Sequence, residues 1–220
     1  MKTELWLAAL LAMIAGYIDA YGFILYRTYL SFMSGNTTQS GIAIGQGGFL
    51  AAAPTLTAIV AFVIGVFAGT LFSDSDTHRF QRMKFGLVAA LLAAAIGVAQ
   101  LASISQLISI SMLSFAMGIL NTTVCRIGPE TVNLAFVTGT LSKLGSHLAL
   151  ALKRAPLKDA QGTRDTHVHR AFLLSALWAA FLSGAVLAAA IVPRFGVWVL
   201  APPLMILLAL AALAYERSPE

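Results

Sequence analysis

The sequence predicts an all-α integral membrane protein built from two inverted repeats, each with three transmembrane helices and one broken or re-entrant segment carrying a short helix. Three observations predict it. The chain is 59% apolar and only 10% charged, with a mean hydropathy of +0.85, which excludes an ordinary soluble domain. Its apolar residues fall into six segments, each near the ~20 residues an α-helix needs to cross the hydrocarbon core. One twelve-residue pattern also occurs twice, as Leu30-Ser-Phe32-Met-Ser34-Gly35-Asn36-Thr37-Thr38-Gln39-Ser40-Gly41 and as Leu134-Ala-Phe136-Val-Thr138-Gly139-Thr140-Leu141-Ser142-Lys143-Leu144-Gly145. Leu, Phe and both glycines recur in register, placing small polar residues inside apolar sequence twice.

The first span runs from Leu5 to Leu25. Its start resembles a signal peptide, but the apolar run carries Asp19 and lacks a small-x-small cleavage site, so it reads as a retained span. The first motif follows. Thr28 to Ser34 is rich in β-formers and aromatics and reads as extended, and Asn36 to Gly45 reads as helix with Ser34 or Asn36 as N-cap. Spans over Thr55 to Phe72 and Phe85 to Leu101 complete a first repeat, 1–102. The second repeat, 103–220, has a span over Leu107 to Val124, then the second motif, extended over Thr131 to Thr138 and helical over Thr140 to Lys153. Thr138 or Thr140 is its expected cap, and Ala171 to Val192 and Val197 to Tyr215 are the last spans. Glu130, after Gly128-Pro129, reads as a residue capping a helix start, with Arg126 as its partner.

The duplication extends upstream, because Gly16-Tyr-Ile-Asp19 corresponds to Gly118-Ile-Leu-Asn121. Charge supplies direction. If each motif dips into the membrane and returns, Lys2, Arg79, Arg82, Lys84, Arg126, Lys153, Arg154, Lys158, Arg164, Arg170 and Arg217 share the N-terminal side, which the positive-inside rule makes cytoplasmic. Only Arg27 and Arg194 then face out. Full crossing by both motifs would move Arg79, Arg82, Lys84 and Arg126 outward and nearly erase that bias. Equivalent loops carry opposite bias, as inverted repeats do. The pI of about 9.7 thus reads as topology, and no nucleic-acid partner is expected.

Irregular backbone in a membrane needs protein or water around it, and paired breaks in two halves point to a site at mid-membrane. The candidate substrate-binding residues are Asp19, Ser34, Gly35, Asn36, Thr37, Asn121, Thr138, Gly139, Thr140 and Lys143. Asp19 has two readings. It carries a proton or pairs with a cation, or it caps the broken segment or bonds Tyr17, Tyr21 or Asn36. Lys143 can neutralise an anion, pair with Asp19 or snorkel to the surface, and His147 shares its helix face. His167 and His169 fall in a basic loop and read as solvated, and Asp74, Asp76, Asp159 and Asp165 read as loop residues without a function. Arg27 with Tyr26 and Tyr29 reads as an interfacial anchor. Cys125 is the single cysteine, and neither cofactor nor metal is expected.

Gly16-Tyr-Ile-Asp19-Ala-Tyr-Gly22-Phe followed by Phe32-Met-Ser34-Gly35-Asn36-Thr37 resembles the signature of the YoaK-like bacterial membrane proteins, a family of unknown function. The resemblance covers the whole chain and implies a multi-pass protein of the bacterial inner membrane; both termini are expected in the cytoplasm. In layout alone, the extended stretch leading into a short helix resembles the core of uracil-permease and sulfate-permease transporters, which are longer. The leading expectation is a small secondary transporter or permease for a small polar or anionic solute, with a proton or cation as coupling ion. The low span count is compatible with a homodimer. The alternatives are a structural or regulatory membrane subunit, and an intramembrane hydrolase with Ser34 as nucleophile and His147 as base, which lacks an orienting group. The expectation is therefore a non-enzyme.

Overall fold

The structure, a computed structural model, describes residues 2–71, 78–101, 106–123, 125–127, 130–132, 137–157, 160 and 165–216. Among them the chain is almost wholly helical, as apolar sequence in a bilayer must be when no water is available to its backbone. The elements are α1 (Lys2–Tyr26), α2 (Met33–Gly45), a 3-10 turn (Phe49–Ala52), α3 (Ala53–Leu71), α4 (His78–Ala99) and α5 (Gln106–Asn121). After β1 (Cys125–Ile127) and β2 (Glu130–Val132) come α6 (Val137–Leu152), α7 (His167–Phe195), a 3-10 turn (Gly196–Leu200) and α8 (Ala201–Glu216). Four described segments are long and apolar enough to cross a membrane: Leu5–Tyr26, Phe49–Leu71, Phe80–Ala99 and the 48-residue run His167–Ala214. That last run holds both α7 and α8, and the short apolar helix α5 has 16 residues.

Two compact units interleave along the chain. One comprises Ile18–Thr123 and Ala188–Glu220. Within it α5 is buried on nearly all sides, with Ile110, Leu113, Met117, Ile119 and Leu120 in the core, and α4 packs on both α5 and α8. The opposite face of α3 is the reverse, since Val60, Val63, Ile64 and Phe67 are exposed. That apolar face has hydrocarbon as its solvent. A Cβ on Gly118 would run into the Phe62 carbonyl oxygen, and one on Gly65 into the Phe115 carbonyl oxygen. The α3 and α5 backbones therefore touch, as small residues allow in membranes.

The other unit comprises Met1–Tyr17 and Val124–Leu187. Here a Cβ on Gly16 would meet the Phe181 carbonyl oxygen and one on Gly184 the Met13 carbonyl oxygen. In each unit, then, a glycine meets the carbonyl three residues before the opposing glycine. Gly16 and Gly118 are the corresponding glycines of the upstream repeat, and their partners share Ala61-Phe62-x-x-Gly65 and Ala180-Phe181-x-x-Gly184. The same helix crossing is built twice.

Both short helices begin three residues before the expected start, at Met33 and Val137. Ser34, Asn36, Thr138 and Thr140 thus lie inside the first turn and are not caps. The N-cap of α2 is Phe32, which makes no side-chain cap bond. Both helices end alike. Gly48 N–H donates to Ala43 O at 2.8 Å and Gly47 N–H to Ile44 O at 2.9 Å, and Ala155 and Arg154 repeat the pattern on Leu150 O and Ala151 O, both at 3.0 Å. This double bond pattern needs a left-handed residue, filled by Gly47 (φ 78°) and by Arg154 (φ 51°). Glu130 opens no helix; it pairs with Ile127 in an antiparallel hairpin. The second motif's residues 133–136 lie outside the described residues, as do the loop positions Asp74, Asp76 and Asp159.

Candidate functional site

The first motif is organised by Asp19, which is 5% exposed. Its Oδ1 accepts the N–H groups of Leu30 at 2.8 Å and Ser31 at 2.6 Å, and its Oδ2 accepts the Ser31 hydroxyl at 2.7 Å. Three donors on one carboxylate supply what a non-helical stretch in the membrane otherwise lacks. The cap of the broken segment is formed, on Leu30 and Ser31 rather than through Tyr17, Tyr21 or Asn36. The geometry also sets a level. Asp19 stands seven residues before Tyr26, about 10 Å along the α1 axis, so the chain turns at Arg27 and runs back beside α1 before α2 begins. Gly22 permits this, since a Cβ there would sit 2.5 Å from Leu30 Cγ and 2.9 Å from Thr28 O. From that level α2 returns to the start of α3, where Ser40 and Thr55 share a hydroxyl hydrogen bond of 2.7 Å. With 13 residues α2 is about 20 Å long, too short for a core of about 30 Å.

Asn36, fully buried, closes the same loop. Its Oδ1 accepts the Tyr29 N–H at 3.0 Å and its Nδ2 donates to Tyr29 O at 2.7 Å, so one side chain satisfies both main-chain groups of a residue outside any ladder. Around it Phe23 stacks on Tyr29 at 4.7 Å and Phe32 meets Tyr29 edge-on at 5.2 Å. Gly35 faces these rings, because a Cβ would lie 2.5 Å from the Phe32 ring. Ser34 and Thr37 are on the exposed side, with the Thr37 hydroxyl donating to Met33 O at 2.8 Å. Asp19, Gly35 and Asn36 are therefore brought together around residues 29–32. Among the described residues, the buried Oδ1 of Asn121, in the same unit, has no hydrogen-bond partner, and neither have Ser114 Oγ and Thr123 Oγ1. Nearby in sequence, Thr122 O accepts a bond from buried Lys84 Nζ at 3.1 Å, a cation at the C-terminus of α5.

In the other unit Thr138, Gly139 and Thr140 occupy the first turn of α6, Thr140 buried and Thr138 exposed, and Lys143 lies exposed one turn on. Sequence reasoning missed the next feature. His167 is not solvated: it opens α7, is 8% exposed, and its Nδ1 lies 2.9 Å from the Nδ1 of His147. One ring must donate and the other accept, so the pair ties α6 to α7. Asp165 likewise has a role, since its oxygens take Arg170 Nε and a terminal Arg170 nitrogen, each at 2.9 Å. The signal available in the sequence was only His at both ends of a connector. Among the described residues no group of three or more His, Cys, Asp or Glu side chains converges as a metal site.

Comparison with known proteins gives one consistent match. The profile of the family described as "Protein of unknown function (DUF1275)" covers residues 7–213. The chain is 31% identical over 215 residues to UPF0700 transmembrane protein RA0705 of Rhizobium meliloti (strain 1021), covering 96% of this chain and 85% of that protein. It is 28% identical over 144 residues to UPF0700 transmembrane protein YoaK of Bacillus subtilis (strain 168), covering 63% of this chain and 64% of that one. No solved structure matches.

Proposed function

The chain belongs to the DUF1275 family of unknown function, a multi-pass membrane protein like its relatives, and from that premise we propose that it is a small permease for a polar or anionic solute. The observation that carries this reading is the break after α1. A charged side chain costs at least ~2.5 kcal/mol at the centre of a span, and Asp19 stabilises a non-helical stretch there that a continuous helix would not need. Such breaks are where transporters place their sites. The twice-built glycine crossing supports two equivalent halves, 1–102 and 103–220, each with three spans and one re-entrant segment. Charge bias orients the halves oppositely, with both termini cytoplasmic in a bacterial inner membrane.

In this reading the solute-binding residues are Ser34, Gly35, Asn36 and Thr37 of the first motif, Thr138, Gly139, Thr140 and Lys143 of the second, and Asn121, whose Oδ1 has no hydrogen-bond partner among the described residues. Lys143 favours a negative solute, a proton or cation couples the movement, and the working form is a homodimer. No covalent chemistry is assigned to it.

Uptake of labelled small carboxylates, phosphate and neutral polar solutes into proteoliposomes tests the proposal. Flux above that of protein-free liposomes, lost on Asn121→Ala and Lys143→Gln with folding intact, is expected; absence of flux across the panel overturns it. A second reading, a structural or regulatory membrane subunit, is favoured by one fact: three internal donors occupy the Asp19 carboxylate. It predicts no flux and a folded protein.

A further inference from the structure

The end of α1 is closed in an uncommon way. Arg27 has φ 55° and its N–H donates to Phe23 O at 3.1 Å, the left-handed helix ending that glycine usually provides because a Cβ there costs about 1 kcal/mol. A large cationic side chain occupies that position. With Tyr26, Thr28, Gln39, Gln46 and Thr55 it lines a cavity of about 530 Å³. None of the residues lining this cavity is acidic, and among the described residues the guanidinium has no hydrogen bond or ion pair and lies over the Phe23 ring at 5.9 Å.

The polar groups around the cation divide cleanly. Thr28 Oγ1 donates to Tyr26 O, and Thr55 is engaged with Ser40 and Ala52 O. The Gln39 and Gln46 amides make no bond to another described residue, so the wall offers one cation and two neutral amides with donors to spare. The rest of the wall, from α2, the turn after it and the start of α3, is mainly apolar. The position is equally specific. The cavity lies where the first apolar run ends at Tyr26 and the next begins at Phe49, and Phe49 and Leu50 beside it are 69% and 90% exposed. Tyr26, in the wall of the cavity at the end of a span, is of the aromatic type that sits at the level of lipid headgroups.

An arginine without a carboxylate, flanked by amides, matches the oxygens of a phosphate group, which a guanidinium can hold with two parallel bonds. We propose that this cavity is a phosphate-binding site, filled either by a soluble phosphate or phosphorylated solute or by the phosphodiester of an anionic lipid headgroup. The inference concerns binding by the first motif alone and is independent of transport.

The test is thermal unfolding of the purified full chain in maltoside micelles, which contain no phosphate, at constant ionic strength. Sodium phosphate and phosphatidylglycerol are the two probes, with sodium chloride and diacylglycerol as their phosphate-free counterparts. Arg27→Gln removes the cation. Arg27→Gly removes it while keeping the left-handed ending, which glycine adopts freely, and Arg194→Gln, at an arginine that does not line the cavity, is the control. The expected result is a phosphate-dependent rise in midpoint for the wild type and Arg194→Gln, with apparent affinity about tenfold or more weaker in both Arg27 variants. A response to sodium phosphate assigns the site to a soluble ligand, and a response to phosphatidylglycerol alone assigns it to a lipid. No response to either probe, or one that the Arg27 variants keep or that Arg194→Gln abolishes equally, overturns the proposal.

Discussion

At the residue scale, single polar side chains do the work that regular secondary structure does elsewhere. Asp19 is the acceptor for three donors, so Asp19→Ala orphans all three and lowers stability by about 3 kcal/mol or more. Asp19→Asn keeps one acceptor oxygen and costs about half as much. Unfolding midpoints in detergent measure the difference, and uptake separates roles: a proton carrier loses activity equally in both, whereas a cap loses less with Asn. Arg154 holds a left-handed position with φ 51°, and Arg154→Gly is expected to raise stability by up to about 1 kcal/mol. Asp19 and Asn36 stood out in the sequence because polar groups are rare in apolar segments, but the backbone groups of residues 29–31 that they bond did not. The bond from His147 to His167 was not legible, because 20 residues separate them and no periodicity links the end of one helix to the start of another.

At the element scale, the helix crossings are set by glycine pairs. Gly16 with Gly184 and Gly118 with Gly65 make equivalent contacts, so Gly16→Val and Gly118→Val should destabilise by similar amounts, about 1–3 kcal/mol each, through overpacking. Equal losses in midpoint support equivalence; a loss at only one position argues against it. The short helices were readable in sequence from their apolar and small residues, but their first turns were not. Ser34, Asn36, Thr138 and Thr140 have the composition of caps, yet α2 is preceded by a stretch whose N–H groups are already satisfied by a carboxylate on α1. That carboxylate serves residues before the helix and not its first-turn N–H groups, so the start of α2 follows from where the preceding turn ends and not from cap composition.

At the scale of the whole molecule, composition alone placed the chain in a bilayer, and of the six expected spans the first three match long apolar helices, the fourth coincides with the shorter 16-residue α5, and the last two join in one run through α7 and α8. Side-chain orientation across the membrane is the remaining prediction. With Cys125 replaced by Ser, a cysteine at Gln46 should react with an impermeant maleimide from outside intact cells, and one at Ala160 only after permeabilisation; the opposite labelling contradicts the charge-based orientation. The sequence by itself determined the membrane class, the duplicated motif and the polar residues inside apolar segments, because hydrophobic burial and periodicity are local properties of the chain. Only the tertiary structure decided what Asp19 bonds, that His147 meets His167, and that Arg27 lines a cavity. Each of those depends on where the backbone turns, and a turn brings together groups whose separation along the chain carries no signal of their distance in space.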